Sequence, residues 1–225
     1  VNAGKLPFDM DEQAQATMDT LNALHYAKWW TPQWVDAVGK GLILKRDFEG
    51  GQMARDMTVY VDDDGKAYMF WGSSNVFPIR GIELDRNHRF LPKGEKKELF
   101  GLDLANHGWE RFGENHVSDS DLGGFIEGPW MTKHNGKYYL QYGSPGTEFN
   151  VYGDRVYVAD HPMGPYTYQK HNPVSYKPGG YMNGAGHGST VLGPGGQYWH
   201  FASMSLSINV NWERRLCMFP AGFDK

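Results

Sequence analysis

The sequence predicts an all-β chain folded as a β-propeller, and three observations carry that prediction. Aromatic residues make up 15% of the 225 positions and there are 29 glycines. This is the composition of short strands joined by tight turns, and it excludes a disordered chain, which is poor in aromatics. One strand–turn–strand pattern occurs three times. The glycines of its turns, Gly65, Gly136 and Gly196, stand 71 and 60 residues apart. That interval holds about four short strands with their loops, which is one propeller blade. A β-sandwich accommodates the strands but gives no reason for one hairpin to recur with the same flanks.

Residues 1–53 contain no Asp-Gly or Asn-Gly hairpin. Asp9 with Glu12 reads as a capping box, and Met10, Ala14, Met18, Leu21 and Leu24 follow with helical spacing. This segment is expected to hold a helix and, around Trp29, Trp30 and Trp34, the tail of a first blade. Residues 54–225 are expected to be blades. The first hairpin turns at Asp64-Gly65, the second at Asn135-Gly136 and the third at Gly195-Gly196, each a dipeptide suited to a two-residue loop. A third strand is expected after each hairpin, at 78–84, 154–159 and 214–219. The stretch 173–188, rich in Pro and Gly, reads as a rim loop.

Bulk properties narrow the partners. The formal net charge is −4 with no basic stripe, which argues against nucleic acid. No apolar run approaches the roughly 20 residues of a membrane span. Cys217 is the single cysteine, so no internal disulfide forms, and no signal peptide is visible at the start of the sequence.

Nine residues before the three turn glycines stand Asp56, Glu127 and His187. Each lies where the first strand of its repeat begins. If that strand is the innermost of its blade, the three side chains converge near the axis. A carboxylate pair and an imidazole gathered from separate blades are the makings of a hydrolytic site.

The segments around these residues resemble glycoside hydrolase family 43. Arg55-Asp56-Met57-Thr58 with the Asp62-Asp63-Asp64-Gly65 turn resembles its second blade. Glu127-Gly128-Pro129-Trp130 with the following Lys133-His134-Asn135-Gly136-Lys137-Tyr138-Tyr139 resembles the third, and Gly184-Ala185-Gly186-His187-Gly188-Ser189 the fourth. The resemblance implies a five-bladed propeller and inverting hydrolysis of arabinosides or xylosides. Glu127 matches the general acid and Asp56 the carboxylate that orients it and raises its pKa. His187 matches the axial histidine. The resemblance implies no required cofactor, but it allows a structural calcium near the axis, held by His187 through water.

The resemblance is incomplete. The family's base is an aspartate opening the first blade, and no segment of residues 1–53 matches it. Three to four repeats do not close a five-bladed ring, so the chain is expected to be part of a longer enzyme whose base lies elsewhere. Trp71, Asn75, Trp130 and His187 are the expected substrate contacts, Trp71 to stack on a sugar ring and Asn75 to bond a hydroxyl. The segment His107–His116 is expected to be a substrate loop or a solvated loop rather than a metal site, since its two His and two Glu fit no standard zinc spacing. Arg214 is expected at a strand edge. The expected partner is an oligosaccharide or polysaccharide, and such substrates imply a periplasmic or secreted protein. The alternative is a non-catalytic, carbohydrate-binding propeller that lacks a base.

Overall fold

Each predicted hairpin forms, and each adds a third strand. The computed structural model describes residues 56–75, 77–118, 123–206 and 213–224. The helix expected at 9–24 and the first-blade tail lie outside these residues. The first sheet runs β1 (Thr58–Val61), β2 (Ala67–Trp71), β4 (Ile79–Asp85) and β5 (Leu91–Phe100), all antiparallel. The second is built on β6 (Ile126–His134), β7 (Lys137–Ser144) and β8 (Gly153–Ala159). The two-residue strands β9 (Thr167–Tyr168) and β10 (Ser175–Tyr176) pair with β8. Another short strand, β3 (Ser73–Ser74), crosses from the first sheet to pair with β6, setting Ser73 opposite Glu127. The third sheet is β11 (Met182–Leu192), β12 (Tyr198–Leu206) and β13 (Arg214–Ala221). Among the described residues there is no α-helix. The fold is therefore all-β, a partial propeller of sheets in the order of the sequence repeats.

The turns differ from the two-residue prediction in two cases of three. His134 pairs with Lys137, so Asn135-Gly136 is a two-residue loop. In the first hairpin Asp62 N–H donates to Lys66 O at 2.9 Å, and in the third Gly193 N–H donates to Gln197 O at 2.8 Å. Both loops therefore hold three residues. The extra residue moves the turn glycine one place along and shifts every offset counted from it.

The sheets face one another through aromatic and aliphatic side chains. Tyr68, Phe70 and Ile79 of the first pack with Ile126, Met131, Leu140, Tyr142 and Tyr157 of the second. Full burial of such side chains contributes roughly 1.5–3 kcal/mol each. A polar clasp adds to this packing. Asp62, in the first turn, accepts from Tyr138 Oη at 2.6 Å, Lys133 Nζ at 2.6 Å and Tyr60 Oη at 2.9 Å. Burial alone would push the Asp62 carboxyl up, but these donors outweigh it and hold the pKa at about 2. Strand β6 contacts β1 and β2 on one side and β11 on the other. That places the three first strands of the repeats side by side, which is what convergence of their leading residues requires.

Candidate active site

Count six residues back from the last paired residue of each first strand: Asp62, His134 and Gly193. The positions reached are Asp56, Gly128 and His187. All three have left-handed backbone, with φ of 51°, 60° and 52°. In β6 and in β11 this point is a one-residue bulge, between Glu127 and Trp130 and between Gly186 and Ser189. A bulge bends a strand and re-aims a side chain. Asp56 and His187 thus occupy equivalent positions, and Glu127 stands one residue earlier. The equal spacing in sequence concealed this offset, because the second loop is a residue shorter.

The bulge of the second sheet has a glycine for a steric reason. A Cβ on Gly128 would lie 2.7 Å from His187 Cδ2, and the residue holds a positive φ. The Gly of the Glu-Gly-Pro motif is the space into which the imidazole from the next sheet fits.

The three side chains do converge: one polar atom from each of Asp56, Glu127 and His187 lies within 4.8 Å of the others. His187 Nδ1 is 3.9 Å from Glu127 Oε1. Tyr152 Oη donates to Glu127 Oε1, and Ser73 Oγ makes a long contact of 3.5 Å with Oε2. Burial raises the Glu127 pKa, but contact with His187, the Tyr152 hydroxyl and the charges of His187 and Arg214 outweigh it, so the carboxyl sits below its usual range. In return, contact with Glu127 raises the His187 pKa against the opposing effect of burial, with Asp56 and Asp154 adding to the rise. Glu127 and His187 thus shift each other's pKa in opposite directions, with the Asp56 carboxyl beside them. This differs from the expectation that Asp56 lifts the Glu127 pKa. The donors on Glu127 win.

The family model of glycosyl hydrolases family 43 matches residues 12–224.

The chain belongs to glycosyl hydrolases family 43.

It is 30% identical over 136 residues to a β-xylosidase of Xylanibacter ruminicola, covering 53% of this chain and 41% of that one. It is 32% identical over 155 residues to an arabinoxylan arabinofuranohydrolase of Paenibacillus polymyxa, covering 64% and 22%. It spans less than half the length of either relative. Among solved structures, a thermostable family-43 glycoside hydrolase superposes with a TM-score of 0.63 at 22% identity, over 81% of this chain and 59% of the other. An exo-1,5-α-L-arabinanase from a bovine ruminal metagenomic library superposes at 0.56 and 23% identity, over 76% and 53%. These solved structures share the fold. The family 43 match also reaches into residues 12–53, which the repeats left outside the blades.

Within this family 43 chain, the remaining expected residues fall in different places. Trp71 is 6% exposed and packs with Ala67, Ile82 and Leu84. It is a core side chain, so the expected stacking on a sugar is corrected. Trp130 is half-buried, and its Nε1 donates to Thr190 O at 2.9 Å and ties β6 to β11. Asn75 follows β3 directly, and its Oδ1 is buried with no hydrogen-bond partner among the described residues.

The 107–116 segment is built into the second sheet. Glu110 is fully buried and accepts from Tyr142 Oη at 2.5 Å and from Asp103 N–H at 2.8 Å. His107 stacks on Tyr168, and His116 lies against Trp109 and Tyr176. Asp56, Glu127 and His187 are the one cluster with metal-ligand spacing among the described residues. Calcium takes six to eight oxygens. Two carboxyl groups and an imidazole supply too few oxygens to be its direct ligand set.

Tyr152 was not foreseen. It lies in the loop before β8, outside any strand pattern, and no motif marks it. Arg214 opens β13, the edge strand of the third sheet as expected, and from there it also acts on Glu127 through its charge and donates to Thr147 Oγ1.

Proposed function

We propose that this chain forms the acid side of an inverting glycosidase acting on arabinosides or xylosides of plant polysaccharides. The observation that carries this is the convergence of Asp56, Glu127 and His187 from three sheets, in a chain of family 43. The names of the relatives, β-xylosidase and arabinoxylan arabinofuranohydrolase, support the substrate class.

Glu127 is the general acid that protonates the leaving oxygen. Asp56 orients it. An acid and base of an inverting pair stand roughly 6.5–9.5 Å apart to admit a water, whereas Asp56 and Glu127 approach within 4.8 Å. Asp56 is therefore not the base, and the base carboxylate lies outside the described residues. The raised pKa of His187, 3.9 Å from Glu127, favours it as the proton source for that carboxyl, and the transfer readies the acid as substrate displaces water from the pair. Asn75, directly after β3, is retained as a substrate contact by its place beside the strand that meets Glu127. A polysaccharide substrate supports a periplasmic or secreted location.

The lowered pKa of Glu127 favours a second reading, a propeller that binds sugars without cleaving them. One experiment separates the two. The full-length protein is incubated with arabinoxylan and arabinan oligomers beside Glu127→Gln, and products are followed by proton NMR. Release of sugar with inverted anomeric configuration, abolished by the substitution while binding persists, supports the enzyme. Binding without release supports the second reading, and retained configuration overturns the assignment of Asp56.

A further inference from the structure

Behind His187 lies a second buried pair that the reaction as proposed does not use. Asp154, on β8, is fully buried, and His200, on β12, is 7% exposed. His200 Nε2 stands 3.1 Å from Asp154 Oδ2, close enough for an ion pair though not aligned as a hydrogen bond. On its other side His200 Nδ1 meets Thr190 Oγ1 at 3.0 Å, and that hydroxyl meets Gln141 Oε1 at 2.9 Å. Asp154 also accepts from the backbone N–H of Gly188, at 3.1 and 3.3 Å to its two oxygens. Gly188 is the residue after His187, inside the same bulge. A Cβ there would lie 2.7 Å from His200 Cε1 and would run into Asp154 Oδ2 and Phe201 O, so the peptide is packed directly onto the pair.

His187 holds a left-handed backbone that L residues adopt at a cost, and such a conformation persists only where its surroundings over-determine it. The anchored Gly188 amide supplies that constraint. We infer that Asp154 and His200 are positioning residues: by fixing the Gly188 peptide they hold the His187 imidazole against Glu127. Asp154 belongs to the second sheet and His200 to the third, so the pair also sets the register between the two sheets at the depth of the site. The charge of Asp154 also adds to the rise in the His187 pKa. The functional part of this inference rests on the glycosidase reading.

The test uses the full-length protein with Asp154→Ala, Asp154→Asn, His200→Leu and His200→Gln. The Gln amide nitrogen reaches the place of Nε2 and serves as the conservative variant. Asp154→Ala and His200→Leu are expected to lower kcat tenfold or more with KM within about twofold, and His200→Gln to recover most of the loss. Independently of turnover, hydrogen exchange at the Gly188 amide is expected to quicken in Asp154→Ala but not in Asp154→Asn, and the His187 imidazole resonances to move. Unchanged exchange, resonances and kcat overturn the inference. So does an equal loss in His200→Gln and His200→Leu that tracks a fall in Tm, since that marks a role in packing alone. If the wild type releases no sugar from any oligomer, the glycosidase reading fails. The Gly188 and His187 signals then decide the positioning role by themselves.

Discussion

Glu127 and His187 hold each other's charge, and the signs of the two shifts fix how the site responds to pH. The Glu127 pKa lies below its ordinary 4.5, so its contribution to stability is complete above that value and is lost as pH falls through the lowered one. The His187 pKa lies above its ordinary 6.5, so its contribution is complete below 6.5 and is lost as pH rises through the raised one. The pair therefore stabilises the fold most between these two ordinary values. Thermal unfolding of wild type and Glu127→Gln across pH 3–9 is expected to show the largest Tm difference in that window. Tyr152→Phe removes a donor from the Glu127 carboxylate, so the Glu127 pKa is expected to rise, followed by NMR titration of its carboxyl carbon. An acid limb that stays in place would remove Tyr152 from the site. Glu127 was legible in sequence because it opens a strand beside a glycine and a recurring hairpin. Tyr152 was not, because its hydroxyl reaches Glu127 from a loop whose course only the folded chain reveals.

Strands and turns carry the next scale. The repeat was readable because each hairpin pairs an apolar strand with a turn dipeptide that admits positive φ. The loop lengths were not, since Asp-Gly and Gly-Gly suit two- and three-residue loops alike, and hydrogen bonding decides between them. The same limit explains Trp71 and Trp130: composition says that an aromatic lies on a strand, but not which face meets a neighbouring sheet. Two outcomes follow at this scale. Gly128→Ala places a side chain in left-handed backbone, at about 1–2 kcal/mol, and drives it against the His187 ring. A lower Tm and shifted His187 resonances are expected, with the secondary structure intact by circular dichroism. Asp62→Asn loosens the clasp between the first two sheets. With the Asp62 pKa at about 2 against an ordinary 3.8, the charge contributes on the order of 2 kcal/mol at neutral pH. That contribution is complete above the ordinary value and disappears as pH falls through the lowered one. Denaturant unfolding of wild type and Asp62→Asn should therefore differ at pH 7 and converge towards pH 2.

At the scale of the whole molecule, the interior is fixed by buried charge as well as by apolar packing. Arg155 is fully buried and donates to Ser144 O at 2.5 Å, Gly153 O at 2.6 Å and Trp109 O at 2.9 Å. It joins the 103–118 loop to the second sheet, as Glu110 does through Tyr142. Tyr142→Phe leaves a buried carboxylate oxygen short of a donor and is expected to cost about 1–3 kcal/mol in chemical denaturation. The propeller was legible from the period of the turns. The buried Arg155 and Glu110 were not, because an isolated charge in a sequence reads as surface.

The site has no element of its own. Asp56, Glu127 and His187 come from three different sheets, and the 3.9 Å between His187 and Glu127 is a distance between sheets rather than within one. Such a site works as a caliper on blade packing. A slight splay between sheets opens the gap while every ladder hydrogen bond survives. On slow heating, sugar release should therefore fade several degrees before the circular dichroism of the strands changes. Cooling from that interval should restore the activity in full.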